Sequence, residues 1–367
     1  MVSEPGCESE LSSASAIGDR HDAPPLYKTR TRASPTTPRD RDHDEPDANP
    51  TAHAAMMPRA DGGPVLLAPP PPPPPPPCSF LQPFPFVLHP HHLMGGGMLQ
   101  PQTEEQPAPA VEVRDVWAAN LEEELAQVAA LLPLYPCVCV DTEFPGVVHG
   151  SATPHHLRGA REAYAVVKRN VDELKLLQVG VALCGPGGRC PVAWQFNLRG
   201  FDAGRDAHAA DSVAMLRAQG MDFAALRDFG VDPRAFAAGF FRCGLGCGRL
   251  TWVAFSGAYD FAYLARLLLG GCRLPETLES FLAQVAALFG PAVVDVKRLA
   301  RFCGDGGGLR GGLEQVAAAL GVDRAAGRAH CAGSDSLLTC DVLLAMMSRF
   351  FQDGNVLHHA GAIEGLV

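Results

Sequence analysis

Cys137-Val138-Cys139-Val140-Asp141-Thr142-Glu143-Phe144-Pro145-Gly146 is the stretch on which the fold turns. Its first four residues are short, apolar and rich in β-branched side chains, as a buried strand should be, and Pro133 and Pro136 close off whatever precedes them. The run stops at Asp141. Side chains two apart on a strand point the same way, so Asp141 and Glu143 share one face at its end. Two such carboxylates can share a divalent cation. Taken alone, an Asp at a strand end is more often a turn or capping residue.

Upstream, Val113, Trp117, Leu121, Leu125, Val128 and Leu132 recur every three to four residues and predict an amphipathic helix ended by the two prolines. Downstream, residues 174–183 and 192–196 read as two strands joined by the hairpin signal Gly185-Pro186-Gly187-Gly188. Helical stretches follow near 212–216 and 233–241, then a strand at 250–255 that runs toward Asp260. Residues 261–269 and 278–289 read as helices, 292–296 as a short strand, 304–312 as a glycine-dense loop, and 313–320 and 334–351 as closing helices. A hairpin followed by β-to-α steps predicts a mixed α/β sheet flanked by helices, not a purely parallel one. No internal repeat is visible.

The chain divides sharply by composition. Of its 33 prolines, 24 precede Val111, nine of them in the run from Pro69 to Pro77. Residues 1–110 have no sustained apolar period and are expected to be a disordered, Pro-rich region with a stiff polyproline rod, its anchors confined to 80–98 (Phe84, Phe86, His89, His91, His92). Residues 111–367 are long enough for one full core and are expected to form a single domain. The net charge of −10 splits into −6 up to Ala110 and −4 beyond, so neither part resembles a generic phosphate-backbone binder. The twelve cysteines lack regular spacing, and Cys137, Cys139, Cys184 and Cys340 lie in apolar runs as small buried hydrophobes, which suggests a reducing, intracellular setting. Cys243 and Cys247 are the nearest approach to a zinc pattern, without a second pair of matching spacing. Met1 to Ser13 is acidic and resembles neither a secretory signal nor a transit peptide, and no apolar stretch is long enough to span a bilayer.

Two further candidates complete the chemistry. Asp260, in Tyr259-Asp260-Phe261, follows an apolar strand and opens a helix, where its plain reading is an N-cap. In His330-Cys331-Ala332-Gly333-Ser334-Asp335 a glycine-containing loop feeds a helix; Asp335 could serve the helix dipole and His330 could be an ordinary loop histidine. Together, four carboxylates and one histidine are what a two-metal phosphodiesterase needs: oxygen ligands for hard cations, and a base with a pKa near operating pH to take a proton from water.

Asp141 to Gly146, Asn170-Val171-Asp172-Glu173-Leu174-Lys175-Leu176-Leu177-Gln178-Val179-Gly180, Trp194-Gln195-Phe196-Asn197 and Ala332 to Thr339 resemble the Caf/Pop-type deadenylases of the Ccr-Not complex. The likeness runs from Val111 to about Phe351, and 113–124 is similar to the family's opening helix. It implies a ribonuclease H-like fold and the histidine-containing branch of the DEDD exonucleases. The ligands of two Mg2+ or Mn2+ ions would then be Asp141 (bridging), Glu143 and Asp335 (nucleophile side) and Asp260 (leaving-group side), with His330 as the base. The implied activity is 3′-to-5′ shortening of mRNA poly(A) tails with release of 5′-AMP. The implied partners are poly(A) RNA, a Ccr-Not scaffold and a Ccr-type second deadenylase, with no membrane, in cytoplasm and nucleus. Asp295, in another family-like stretch, is assigned to structure or local hydrogen bonding because the ligand quartet is complete without it. Two positions depart from the family pattern: Ser256 stands where a His follows the Phe before the second motif, and Cys331 where a Gln usually follows the catalytic His. Competing readings are a weakly active adaptor of the same complex and a DEDD exonuclease with another nucleic-acid substrate.

Overall fold

The computed structural model describes residues 110–304, 307–352 and 355–367. The polyproline rod and the anchors of 80–98 lie outside the described residues. In chain order the elements are β1 (Glu112–Val116), α1 (Leu121–Leu131), β2 (Cys137–Glu143), α2 (Ala160–Glu173), β3 (Gln178–Gly185), β4 (Gly188–Asn197), α3 (Ala210–Ala218), α4 (Phe223–Phe229), α5 (Pro233–Arg242), β5 (Thr251–Ala254), α6 (Ala258–Leu268), α7 (Leu278–Phe289), β6 (Val293–Asp295), α8 (Val296–Ala300), α9 (Leu313–Ala319) and α10 (Ala332–Phe350).

The strands form one mixed sheet in the order β1-β4-β3-β2-β5-β6. β2, β3 and β4 are antiparallel neighbours, and Gly185 pairs with Gly188 across the expected hairpin turn. β1 lies parallel to β4, and β5 and β6 continue parallel beyond β2. β2 therefore sits inside the sheet, and its alternation serves two cores. Val138 and Val140 join the layer that includes α1, α2, α5, α6 and α7, while Cys137 and Cys139 face the layer built on α10. α10 crosses β2, β3 and β4 directly. A smaller cluster of Leu177, Phe201, Val213, Leu216, Met221 and Leu226 gathers around α3 and α4.

The structure corrects several expected boundaries. Val113 and its neighbours pair with β4 as an edge strand, so the expected opening helix begins only at Leu121; its apolar spacing was shared between a strand and a helix. Leu174 ends α2 instead of starting β3, which begins at Gln178. α2 and α4 were not expected, although Tyr164, Val167 and Val171 carry the required spacing. Among the described residues no helix is long and apolar enough to cross a membrane.

Candidate active site

The end of β2 carries the first acidic pair. Glu143 is buried and Asp141 partly so, both on the face toward α10. Thr142 between them turns to the opposite face, where its hydroxyl donates to Asp260 Oδ1 at 2.6 Å and ties β2 to α6. Asp260 is not the N-cap of α6. Gly257 holds that position, and Asp260 lies in the first turn, 7% exposed.

Asp295 fixes the approach to α6. Its buried carboxylate accepts from the backbone N–H groups of Ser256, Gly257, Lys297 and Glu364 at 3.0 Å each and from Arg298 at 3.3 Å. It caps α8, pins the turn between β5 and α6, and anchors the C-terminal segment. Ser256, one of the two departures from the family pattern, has a φ of 61°, a left-handed conformation that costs energy outside glycine. Asp295 holds that turn from both of its first N–H groups. Its assignment to local hydrogen bonding is what the structure shows.

The third acidic group arrives with α10, whose start is pressed onto the sheet. Gly180, opposite Asp141 in the β2–β3 register, leaves room for Ala332: a Cβ at 180 would lie 1.8 Å from the Ala332 carbonyl oxygen. Gly333 leaves equivalent room for Val113 and Gln195. The first amides of α10, which have no partner within the helix, turn to glutamine side chains of the sheet. Gln195 Oε1 accepts from Gly333 N at 3.2 Å, and Gln178 Oε1 lies 3.5 Å from Ala332 N. These glutamines are oriented in turn: Gln178 donates to Asn197 Oδ1 (2.7 Å), and Gln195 and Asn197 both donate to Asp115 Oδ1 (2.9 Å each). This network reaches from edge strand β1 to the residues beside Asp335.

His330 sits just outside α10, exposed, with a φ of 59°. Its N–H donates to Asp335 Oδ2 at 3.0 Å, so the loop and the first turn of α10 are held as one unit. Glu143, His330 and Asp335 each offer a ligand atom within 4.8 Å of the others. Cys331, the second departure, is the half-buried N-cap of α10, its Sγ 3.9 Å from the Gln219 carbonyl.

The five sequence candidates therefore converge. Burial, then repulsion from Asp260, Asp335 and Glu143, pushes the Asp141 carboxyl well above the usual range, and Glu143 rises for the same reasons. Asp260 is pushed up to about 7, chiefly by burial, against the lowering effect of the Thr142 hydrogen bond. Asp335 is raised by burial and held back by Arg324, whose Nη2 lies 2.6 Å from Asp335 Oδ1. Arg324 also pairs with Glu314 and donates to Ser334 Oγ at 2.5 Å. Sequence reasoning named neither Arg324 nor the roles of Gln178, Gln195, Asn197 and Asp115. The glutamines and Asn197 stood in quoted motifs, but their partners come from strands far away in sequence.

Among the described residues, the guanidinium of Arg324 against four crowded carboxyls leaves the cluster short of positive charge. Its donors are carboxylate oxygens and one imidazole, a set suited to hard divalent cations such as Mg2+ or Mn2+. The residues present fit such ions.

A mixed sheet in this order, with carboxylates gathered where β2 meets α6 and α10, defines a ribonuclease H-like protein. The CAF1 family ribonuclease model matches residues 116–233. The chain is 36% identical over 273 residues to probable CCR4-associated factor 1 homolog 7 of Arabidopsis thaliana, covering 70% of this chain and 94% of that protein. It is 39% identical over 254 residues to CCR4-NOT transcription complex subunit 7 of Caenorhabditis elegans, covering 67% and 79%. The structure of S. pombe Pop2p in its Mg2+- and Mn2+-bound form superposes with a TM-score of 0.63 at 33% identity, over 69% of this chain and 99% of that one. The chain belongs to the CAF1 family of ribonucleases.

Proposed function

We propose that the protein is a metal-dependent 3′-to-5′ exoribonuclease that shortens mRNA poly(A) tails and releases 5′-AMP, acting as the catalytic subunit of a Ccr-Not deadenylation complex. The observation that carries this reading is the convergence of Asp141, Glu143, Asp260 and Asp335 from three elements, with His330 beside two of them. The Mg2+ and Mn2+ bound in the S. pombe relative support the choice of cation. Asp141, Glu143, Asp260 and Asp335 would hold two divalent cations, which when bound neutralise charge on the attacking and departing oxygens of a phosphodiester.

The protein's own groups do the rest. A ring nitrogen of His330 takes the proton from the attacking water, and the exposure of His330 lets that proton leave to solvent. The His330 N–H bond to Asp335 keeps the ring's loop in register with the carboxylates. Preference for poly(A) would arise from base stacking and chain geometry more than from base-edge readout. An acidic protein can bind RNA where cations offset its carboxylates and a complex supplies further contacts, here a Ccr-Not scaffold and a Ccr-type second deadenylase. The C. elegans relative is named as a subunit of that complex, which supports the assignment. Cytoplasm with some nuclear presence is the location that goes with this role.

The test is a time course on 5′-labelled RNA ending in 3′ oligo(A) or 3′ oligo(U), with wild type and Asp141→Ala, in Mg2+, Mn2+ or EDTA. A ladder that shortens through the adenosines, needs metal and is missing in the variant is expected. An intact oligo(A) tail in both metals, with a Ccr-Not scaffold fragment still bound, would replace this reading with the adaptor.

A further inference from the structure

Behind the carboxylates, on the same face of the sheet, lies a second convergence of ligand-type side chains. Cys137 and Cys139 point from β2 toward α10, Cys184 lies opposite Cys137 on β3, and Cys340 comes from the second turn beyond Asp335. The sulfurs of Cys137, Cys139 and Cys184 lie within 4.8 Å of one another. Cys340 is in side-chain contact with Cys139 and Cys184, and it adjoins that trio from α10 without falling inside the same mutual 4.8 Å. All four are fully buried, and none is in a disulfide.

Other buried cysteines behave differently. The Cys243 thiol donates to the Phe240 carbonyl at 3.3 Å and the Cys303 thiol to the Leu299 carbonyl at 3.4 Å, the ordinary outlet for a thiol within a helix. In the group of four, sulfur meets sulfur. Cysteines acting only as small hydrophobes have no reason to converge from three elements on one point. Burial raises the Cys139 thiol, and the contacts among the four sulfurs act on one another's protons. The sequence hid this arrangement because the ligands come as one i, i+2 pair and two singles, without the paired spacing of a zinc finger.

We propose that Cys137, Cys139, Cys184 and Cys340 form a structural site for a thiophilic d10 cation, Zn2+ or Cu+. Four sulfurs and no oxygen donors select such an ion over the hard cations suited to the carboxylates. Zn2+ replacing two thiol protons leaves the buried cluster with no net charge; Cu+ replacing one does the same. With every ligand buried, the ion enters while the chain folds and resists chelators afterwards. It clamps β3 to β2 and α10, the two elements that bear Asp141, Glu143 and Asp335. The assignment rests on the cysteine geometry and stands whether or not the carboxylates catalyse.

The full chain is expressed with added Zn2+ or with added copper, purified under reducing conditions, dialysed against EDTA, and assayed for metal by mass spectrometry. Wild type and Asp141→Asn are expected to retain about one equivalent of Zn2+ or Cu+ per chain, and the two supplies reveal which ion is preferred. Cys184→Val and Cys340→Ala are expected to lose it at least tenfold, with circular dichroism reporting whether each still folds. Wild type refolded with Co2+ supplies a second readout that needs no variant, because thiolate-to-cobalt charge transfer in the near ultraviolet does not arise from carboxylates. Overturning results are wild type free of metal under both supplies with no charge-transfer band on Co2+, metal lost from Asp141→Asn but kept by the cysteine variants, or a Cys137–Cys184 disulfide in the native protein.

Discussion

Gly180 of β3 and Ala332 at the head of α10 are in backbone contact so close that one methyl group at 180 would stand 1.8 Å from the Ala332 carbonyl oxygen. The missing side chain at 180 sets how near Asp335 can come to Asp141. Gly180→Ala must push the first turn of α10 off the sheet, because the obstructing atom is backbone and cannot rotate away. We expect a loss of at least about 2 kcal/mol in urea unfolding. Activity on oligo(A) RNA should fall further than stability explains. An unchanged midpoint would mean that α10 is seated less tightly than its contacts indicate.

Crowded, buried carboxyls make stability depend on pH in a definite direction. Asp260 moves from its ordinary 3.8 to about 7 on folding, so the folded protein holds a proton that the unfolded chain has released. Its contribution is therefore favourable at low pH and is lost as pH rises between those two values; Asp141 and Glu143 act in the same sense. In EDTA the melting temperature should rise as pH falls from 8 toward 5, by an amount equivalent to a few kcal/mol. Added Mg2+ or Mn2+ should flatten the slope by stabilising the ionised form, most strongly at high pH. Thermal unfolding over this pH range, with and without metal, checks both halves.

Asp141→Asn removes one of the repelling charges without changing the side chain's size. Without metal the variant should be more stable than wild type at pH 8, by about 1 kcal/mol or more, and the gain should disappear near pH 5. Its activity should fall at least ~100-fold, since losing a ligand costs no less than losing the partner of one. Calorimetry and the RNA time course measure the two effects. A variant that is both less stable at pH 8 and fully active would show that Asp141 carries no unfavourable charge.

Arg324 supplies the guanidinium beside Asp335. Arg324→Met keeps much of the stem and removes the charge, leaving Asp335 among like charges and Glu314 without its partner. Because the ion pair is 15% and 13% exposed on its two sides, we expect a loss of roughly 1–3 kcal/mol near neutral pH, below that of a fully buried pair. The loss should shrink in acid as Asp335 takes up a proton. Denaturant unfolding at both pH values in EDTA reads the difference.

Gln195→Leu tests the polar network under α10. The leucine fills similar space but leaves Gly333 N–H without an acceptor and removes one donor from Asp115. A cost of about 1–3 kcal/mol is expected, accompanied by slower turnover at saturating RNA. Wild-type stability in this variant would mean that water replaces the amide.

What could be read in advance follows from where the information lies. The β2 run, the hairpin turn and helix 278–289 were legible because each signal is local: apolar run, Gly-Pro-Gly-Gly, periodic leucine and phenylalanine. β1 was read as helix because Val113 and Trp117 extend the spacing of Leu121 and Leu125, and only pairing with β4 reveals the strand. α2 went unread beneath its charged residues, although its buried face was present. At the site, each of Asp141, Glu143, Asp260, His330 and Asp335 was nameable. Their convergence depends on Gly180 and on the register of β2 with β3, which no local pattern encodes.

β1 is an outer strand, and its Asp115 orients both Gln195 and Asn197 beneath the head of α10. Anyone trimming the Pro-rich residues before it to obtain a smaller protein therefore faces a hidden boundary. A cut at Val116 spares every acidic candidate yet strips the sheet's outermost rung and opens β4 to pairing with a stranger. Such a trimmed protein would look complete by its motifs while inviting edge-to-edge aggregation and loosening the seat of Asp335; an incision that keeps β1 and Val111, which packs on the α10 layer, lies before Val111.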